Sequence, residues 1–155
     1  MLLRYLTLIC MLTVGIPCFG QTVTIRVVNA NDGVPLQHQP VSVSLLYDKV
    51  QIPPGNYDAN LNLQTGADGE VRFVLPLPAP AHISAQVRVA PAHWRCGCGV
   101  LVATEELIRD GVVGPLPADE GGKSVAAPKG ARGEILFVAR PLSFWERLLY
   151  PFVKG

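Results

Sequence analysis

The sequence predicts an all-β sandwich, and three observations carry that expectation. Apolar residues alternate with polar ones over short runs, turn-forming residues separate the runs at near-regular spacing, and helix breakers are abundant. The chain has 15 glycines and 14 prolines in 155 residues. Both types are poor in helix interiors and favourable in turns. The length suits one domain.

The first twenty residues stand apart. Arg4 precedes an apolar run from Tyr5 to Ile16, about a dozen residues, the length of a signal-peptide core and short of the ~20 a membrane-spanning helix needs. Cys18-Phe19-Gly20 places small residues three and one before the next bond. Residues 1–20 are therefore expected to be a signal peptide cleaved before Gln21, with an uncleaved anchor as the alternative. The protein is expected to be exported, periplasmic or extracellular, soluble or peripheral to the envelope, with no transmembrane helix after cleavage. Without Arg4 the remaining chain carries 12 basic and 12 acidic residues. Neutral overall and lacking a basic run, it is not expected to bind nucleic acid.

From Gln21 the strands follow in order. Val23, Ile25 and Val27 alternate with Thr22, Thr24 and Arg26, the period of a half-buried strand. Asn29 to Gly33 is a turn cluster. Val41, Val43 and Leu45 alternate with Ser42 and Ser44 in a strand that Pro40 opens, and Asp48 to Asn60 reads as a loop. Leu61 and Leu63 begin a further strand, Val71, Phe73 and Leu75 another, and Thr65 to Glu70 between them reads as a hairpin connection because it contains Asp68-Gly69. His82 to Val89 and Glu134 to Ala139 complete the series.

Two segments read as helical. Thr104 to Asp110 begins with a capping threonine and two acids and is followed by Gly111. Ser143-Phe144-Trp145-Glu146 matches a capping box that opens a short helix stopped by Pro151. Residues 21–142 are thus assigned to the sandwich and 143–155 to an amphipathic C-terminal helix. Its apolar stripe is Phe144, Trp145, Leu148, Leu149 and Phe152. A helix of about two turns needs a surface to dock on. The sandwich itself, a partner subunit and a membrane interface are the three options. The near-balance of Arg147 by Glu146, and the short connection to the last strand, favour the first. Residues 111–133, rich in Gly, Pro, Ala and Lys, read as a long loop.

Gly33-Val34-Pro35-Leu36, Val41 and Val43, and Thr65 with Asp68-Gly69-Glu70-Val71-Arg72-Phe73 together resemble the carboxypeptidase regulatory-like domain. The resemblance covers about Thr22 to Val89 and implies a prealbumin-like (Ig-like, transthyretin-like) β-sandwich of about seven strands. Asp48 to Asn60 departs from it as an insertion. The remainder, from Trp94 to Trp145, is similar to a group of exported bacterial proteins carrying this domain, which brings no activity. Such domains serve as accessory modules, so fold alone does not give function.

The most chemical-looking constellation is His93, Cys96 and Cys98, beside Trp94. Thiolates and imidazole suit copper or zinc, although a mononuclear zinc site wants a fourth ligand. In an oxidising compartment a Cys96–Cys98 disulfide ranks first, because Gly97 permits the bend so small a ring requires. Enzymes on related sandwiches fail on residues. The chain ends Pro151-Phe152-Val153-Lys154-Gly155 rather than in a Tyr-Arg-Gly-Ser motif, its three histidines form no close pair, and no G-x-S-x-G elbow is present. The expectation is a non-catalytic, cofactor-free binding module with an envelope protein or polysaccharide as partner. The rival is a small metal-binding or thiol-redox protein. Tyr47, Tyr57 and Trp94 are the candidate sugar-stacking aromatics.

Overall fold

The computed structural model describes residues 20–47, 59–89, 94–96, 99–116, 130–145 and 147–148, with only the backbone at 94–96. Among the described residues nine strands and one helix follow one another. They are β1 (Thr22–Asn29), β2 (Pro40–Leu46), β3 (Ala59–Gln64), β4 (Glu70–Val74), β5 (His82–Val87), β6 (Trp94–Cys96), β7 (Gly99–Ala103), α1 (Thr104–Asp110), β8 (Val112–Val113) and β9 (Glu134–Pro141).

Two sheets face each other. In the first, β4, β1, β9 and β6 lie side by side, and β8 also pairs with β9. In the second the order is β3-β2-β5-β7, antiparallel throughout. The all-β sandwich is as the alternation predicts. Val23, Ile25 and Val27 of β1, and Val41 and Val43 of β2, are at most 1% exposed. Period 2 places them on the inner faces, where the two sheets share one core.

The strand count exceeds the expected seven. Three of the nine are not among the six strands that the alternation marks, and they are short: β6, β7 and β8 have three, five and two residues. They extend sheet edges and carry too few residues for periodicity to declare them.

The first and last strands pair in parallel, Thr24 opposite Glu134 through Asn29 opposite Ala139. This puts β9 inside its sheet, with β1 on one side and β8 and β6 on the other. Ile135, Phe137 and Ala139 enter the main core. Leu136 and Val138 are also buried, on the outer face, with Val28, and Ala30, Val113 and Leu116 pack over them. Burial on both faces is why β9 reads as a continuous apolar run. The loop expected over 111–133 thus begins as β8 and a cover for the outer face; residues 117–129 lie outside the described part.

The Thr65–Glu70 segment corrects the sequence reading. It is no hairpin: β3 pairs with β2 in the second sheet, whereas β4 pairs with β1 in the first. The segment is a corner between sheets. Thr65, 1% exposed, ties it to the chain before β2. Its hydroxyl donates to the Leu36 carbonyl at 3.0 Å and accepts from the Gln39 N–H at 2.8 Å. Its own N–H donates to the Gln39 carbonyl, and its carbonyl accepts from the His38 N–H, both at 3.0 Å. At the other end the Gly69 carbonyl accepts from the Val27 N–H at 3.0 Å. Gly69 has φ +71°, and a Cβ there would stand 2.6 Å from Cβ of Pro35. Only glycine fits both the angle and the approach.

Helix α1 forms where expected, but Thr104 does not cap it. Ala103 occupies the cap position with no side-chain bond, and Thr104 lies within the first turn. There its hydroxyl is buried with no partner among the described residues. Gly111 ends the helix at φ 70°, its N–H donating to the Leu107 carbonyl at 2.9 Å. No helix among the described residues is long and apolar enough to cross a membrane.

Candidate functional site: an uncharged amide and hydroxyl face

The outer face of the second sheet is built mainly from the polar positions of three alternating strands, β2, β3 and β5. Inner positions of β2 and β5 are apolar, so the intervening Ser42 and Ser44, and Ser84 and Gln86, face outward. β3 adds Asn60, Asn62 and Gln64, all exposed. Register aligns these into rows: Asn62, Ser42, Gln86 and Gly99 form one, and Asn60, Ser44, Ser84 and Leu101 the next.

Hydrogen bonds order the rows. The Ser44 hydroxyl donates to Oδ1 of Asn60 at 2.7 Å, and the Ser42 hydroxyl to Oδ1 of Asn62 at 3.3 Å. Each carboxamide is thereby oriented with its oxygen toward β2, which leaves its two N–H donors available. Gln64 donates through Nε2 to the His38 carbonyl at 3.1 Å, and His38 adopts φ 56°. No acid or base lies in either row. The one large apolar side chain in them is Leu101 of β7, 45% exposed.

The opposite sheet carries ion pairs. On its outer face Arg26 of β1 meets the buried Glu134 of β9, Nε to Oε1 at 2.7 Å. At its β4 edge Arg72 donates to Glu70 at 2.7 Å. In α1, Asp110 accepts from Arg109 at 2.7 Å and raises the pKa of that guanidinium above its ordinary value. That keeps Arg109 charged and adds no titration near neutrality.

Most of the residues singled out from sequence lie outside the described part, wholly or in their side chains. Tyr47 is half-buried and packs against the main core. Tyr57, His93 and Cys98 lie outside the described residues. The backbones of Trp94 and Cys96 belong to β6, opposite Pro141 and Ala139. Among the described residues no three His, Cys, Asp or Glu side chains converge.

The docking expected of the C-terminal stripe is also corrected for its described members. Phe144, Trp145 and Leu148 are 71%, 64% and 52% exposed, so these three do not cover the sandwich. The helical turn itself begins at Ser143, whose carbonyl accepts from the Arg147 N–H at 3.0 Å. Leu142, just before it, is the side chain that enters the interior. Leu149 and Phe152 lie outside the described residues.

Sequence reasoning missed the amide face. The signal was present in V-S-V-S, N-L-N-L-Q and I-S-A-Q-V, whose polar positions are all uncharged. Only the strand order shows that they share one surface.

No protein-family model matches the chain, and no curated protein matches it. Solved structures similar to it include two major pilins. One is the full-length major pilin SpaD from Corynebacterium diphtheriae, with TM-score 0.44 and 13% identity over 79% of this chain and 30% of that one. The other is a mutant of the major pilin from Streptococcus pyogenes, with TM-score 0.33 and 14% identity over 79% and 50%. The chain therefore spans half or less of either pilin. At these scores the sandwich assignment rests on the two sheets themselves.

Proposed function

We propose that this chain is an exported, non-catalytic interaction module of the cell envelope, of the carboxypeptidase regulatory-like kind, and that the outer face of its second sheet binds a polysaccharide. One observation carries the choice of partner: the two rows across that face hold carboxamides and hydroxyls and no charge. Sugar hydroxyls donate and accept together, and a carboxamide answers both functions at fixed spacing. A protein partner would call for Trp, Tyr or Arg anchors, and none stands in these rows. The Thr65–Gly69 corner, built from the residues that carry the family resemblance, supports the family reading.

The test is retention of the purified protein on insoluble peptidoglycan and on immobilised envelope polysaccharides. The comparison is an Asn60→Ala, Asn62→Ala, Gln86→Ala variant. All three side chains are exposed, so the variant keeps its melting temperature. Losing several neutral hydrogen bonds weakens binding by about tenfold or more. Failure to bind any of the glycans, or equal binding by the variant, refutes the reading.

A further inference from the structure

We infer that the amide face selects glycans bearing acetamido groups, and that Gln86 and Leu101 read such a group together. The inference rests on the polysaccharide reading and names its substrate class. Gln86 of β5 pairs with Gly99 of β7, so Leu101, further along β7, is its diagonal neighbour on the same face. Diagonal partners stand about 7–8 Å apart, within reach of a long side chain. Gln86 uses that reach. A Cβ on Gly99 would lie 3.2 Å from Cγ of Gln86 and 3.8 Å from its Nε2, so the Gln86 side chain lies over Gly99. Glycine leaves room for the exposed carboxamide to rest on β7, the strand that carries the half-exposed Leu101.

A donor, an acceptor and an apolar surface therefore share one end of the face. An acetamido group presents the matching three, an N–H, a carbonyl and a methyl in one planar unit. The Gln86 carboxamide answers the N–H and the carbonyl, and Leu101 takes the methyl out of water. An O-acetyl ester lacks the N–H, a deoxy sugar offers the methyl alone, and a plain hydroxyl leaves Leu101 facing water. The other carboxamides are set differently. Oδ1 of Asn60 and of Asn62 accepts from Ser44 and Ser42, so these two present donors that suit sugar hydroxyls along the same chain. Arg88 is the next outward position of β5, exposed, and its N–H donates to the Pro40 carbonyl at 3.0 Å. It stands on the far side of Gln86 from Leu101, so a contact made through charge would centre away from the proposed pair.

The test measures retention of the purified protein on chitin and on cellulose, whose sugars differ by an acetamido group in place of one hydroxyl. Wild type is expected to be held about tenfold more strongly on chitin, the low end of what one apolar group supplies in a closed pocket. Leu101→Ala, with an unchanged melting temperature, should bring the chitin-to-cellulose ratio toward equality, and Leu101→Met should restore it. Peptidoglycan carries the same group. Retention on both chitin and peptidoglycan assigns the ligand to the wall glycan, retention on chitin alone to another acetamido glycan, and either supports the inference. Equal retention on chitin and cellulose overturns it and leaves the polysaccharide reading standing. No retention on chitin also overturns it, and if cellulose and peptidoglycan fail as well the polysaccharide reading falls with it. A chitin preference that survives Leu101→Ala overturns it too. So does retention that high salt abolishes, which would place the contact at Arg88.

Discussion

Arg26 of β1 and Glu134 of β9 clasp the parallel junction of the first and last long strands. The carboxylate is 7% exposed and the guanidinium side chain 36%. Oε1 of Glu134 lies 2.7 Å from Nε of Arg26, an ion contact rather than an aligned hydrogen bond, since that Nε–H has no acceptor in line. Oε2 accepts the Ala131 N–H at 2.6 Å. The same side chain therefore closes the turn before β9 and ties β9 to β1. Glu134→Ala should cost on the order of 1–3 kcal/mol, less than breaking a fully buried pair because Arg26 is partly solvated. Glu134→Gln should recover part of that loss by keeping an acceptor for Ala131. A double-mutant cycle with Arg26→Ala by urea unfolding separates the two contributions.

Thr65 offers a sharper test, because its four backbone and side-chain groups are all engaged within one corner. Thr65→Val keeps shape and β-branching but leaves the Gln39 N–H and the Leu36 carbonyl without their partner. The expected loss is on the order of 1–3 kcal/mol, read as a lower urea midpoint at unchanged slope. Gly69→Ala adds positive-φ strain, on the order of 1–3 kcal/mol, to a clash with Pro35. It should be the more damaging of the two.

The inner faces of β1, β2 and β5 were legible because each strand buries one side and wets the other. β9 was legible as a strand, though its alternation is lost once Leu136 and Val138 are buried on the far face. The sheet change at Thr65 was not legible. Asp68-Gly69 announces a tight turn, but turn chemistry is local and the choice of partner strand is not. Nor was the amide face, since Asn62 and Gln86 lie 24 positions apart and are joined only through Ser42 between them. The stripe at Phe144 and Trp145 showed that one side is apolar without showing which way it faces.

Among the described residues Phe137 is the largest fully buried side chain, and its strand sits inside the first sheet. Phe137→Ala should cost about 3–5 kcal/mol, a large share of the stability of a domain this size. Leu101→Ala, on the outer face of β7, should change stability by less than about 0.5 kcal/mol. Thermal unfolding of the two variants side by side checks the assignment of inner and outer faces.

Cys96 and Cys98 are predicted to be oxidised to each other in the exported protein. They are the two cysteines that remain once residues 1–20 are removed, and an oxidising compartment favours their pairing. Cys96 is the last residue of β6, opposite Ala139 of β9. Gly97 between the two cysteines supplies the freedom to bend that so small a ring requires. So short a ring removes little entropy from the unfolded chain. Substituting both by Ser should cost well below the roughly 3 kcal/mol that a loop of about fifteen residues supplies. Intact mass with and without alkylation, on protein denatured without reductant, reads the state directly. No alkylation before reduction and two groups added after it are expected. Two free thiols without metal would remove the disulfide, and stoichiometric copper or zinc would move the site to His93, Cys96 and Cys98.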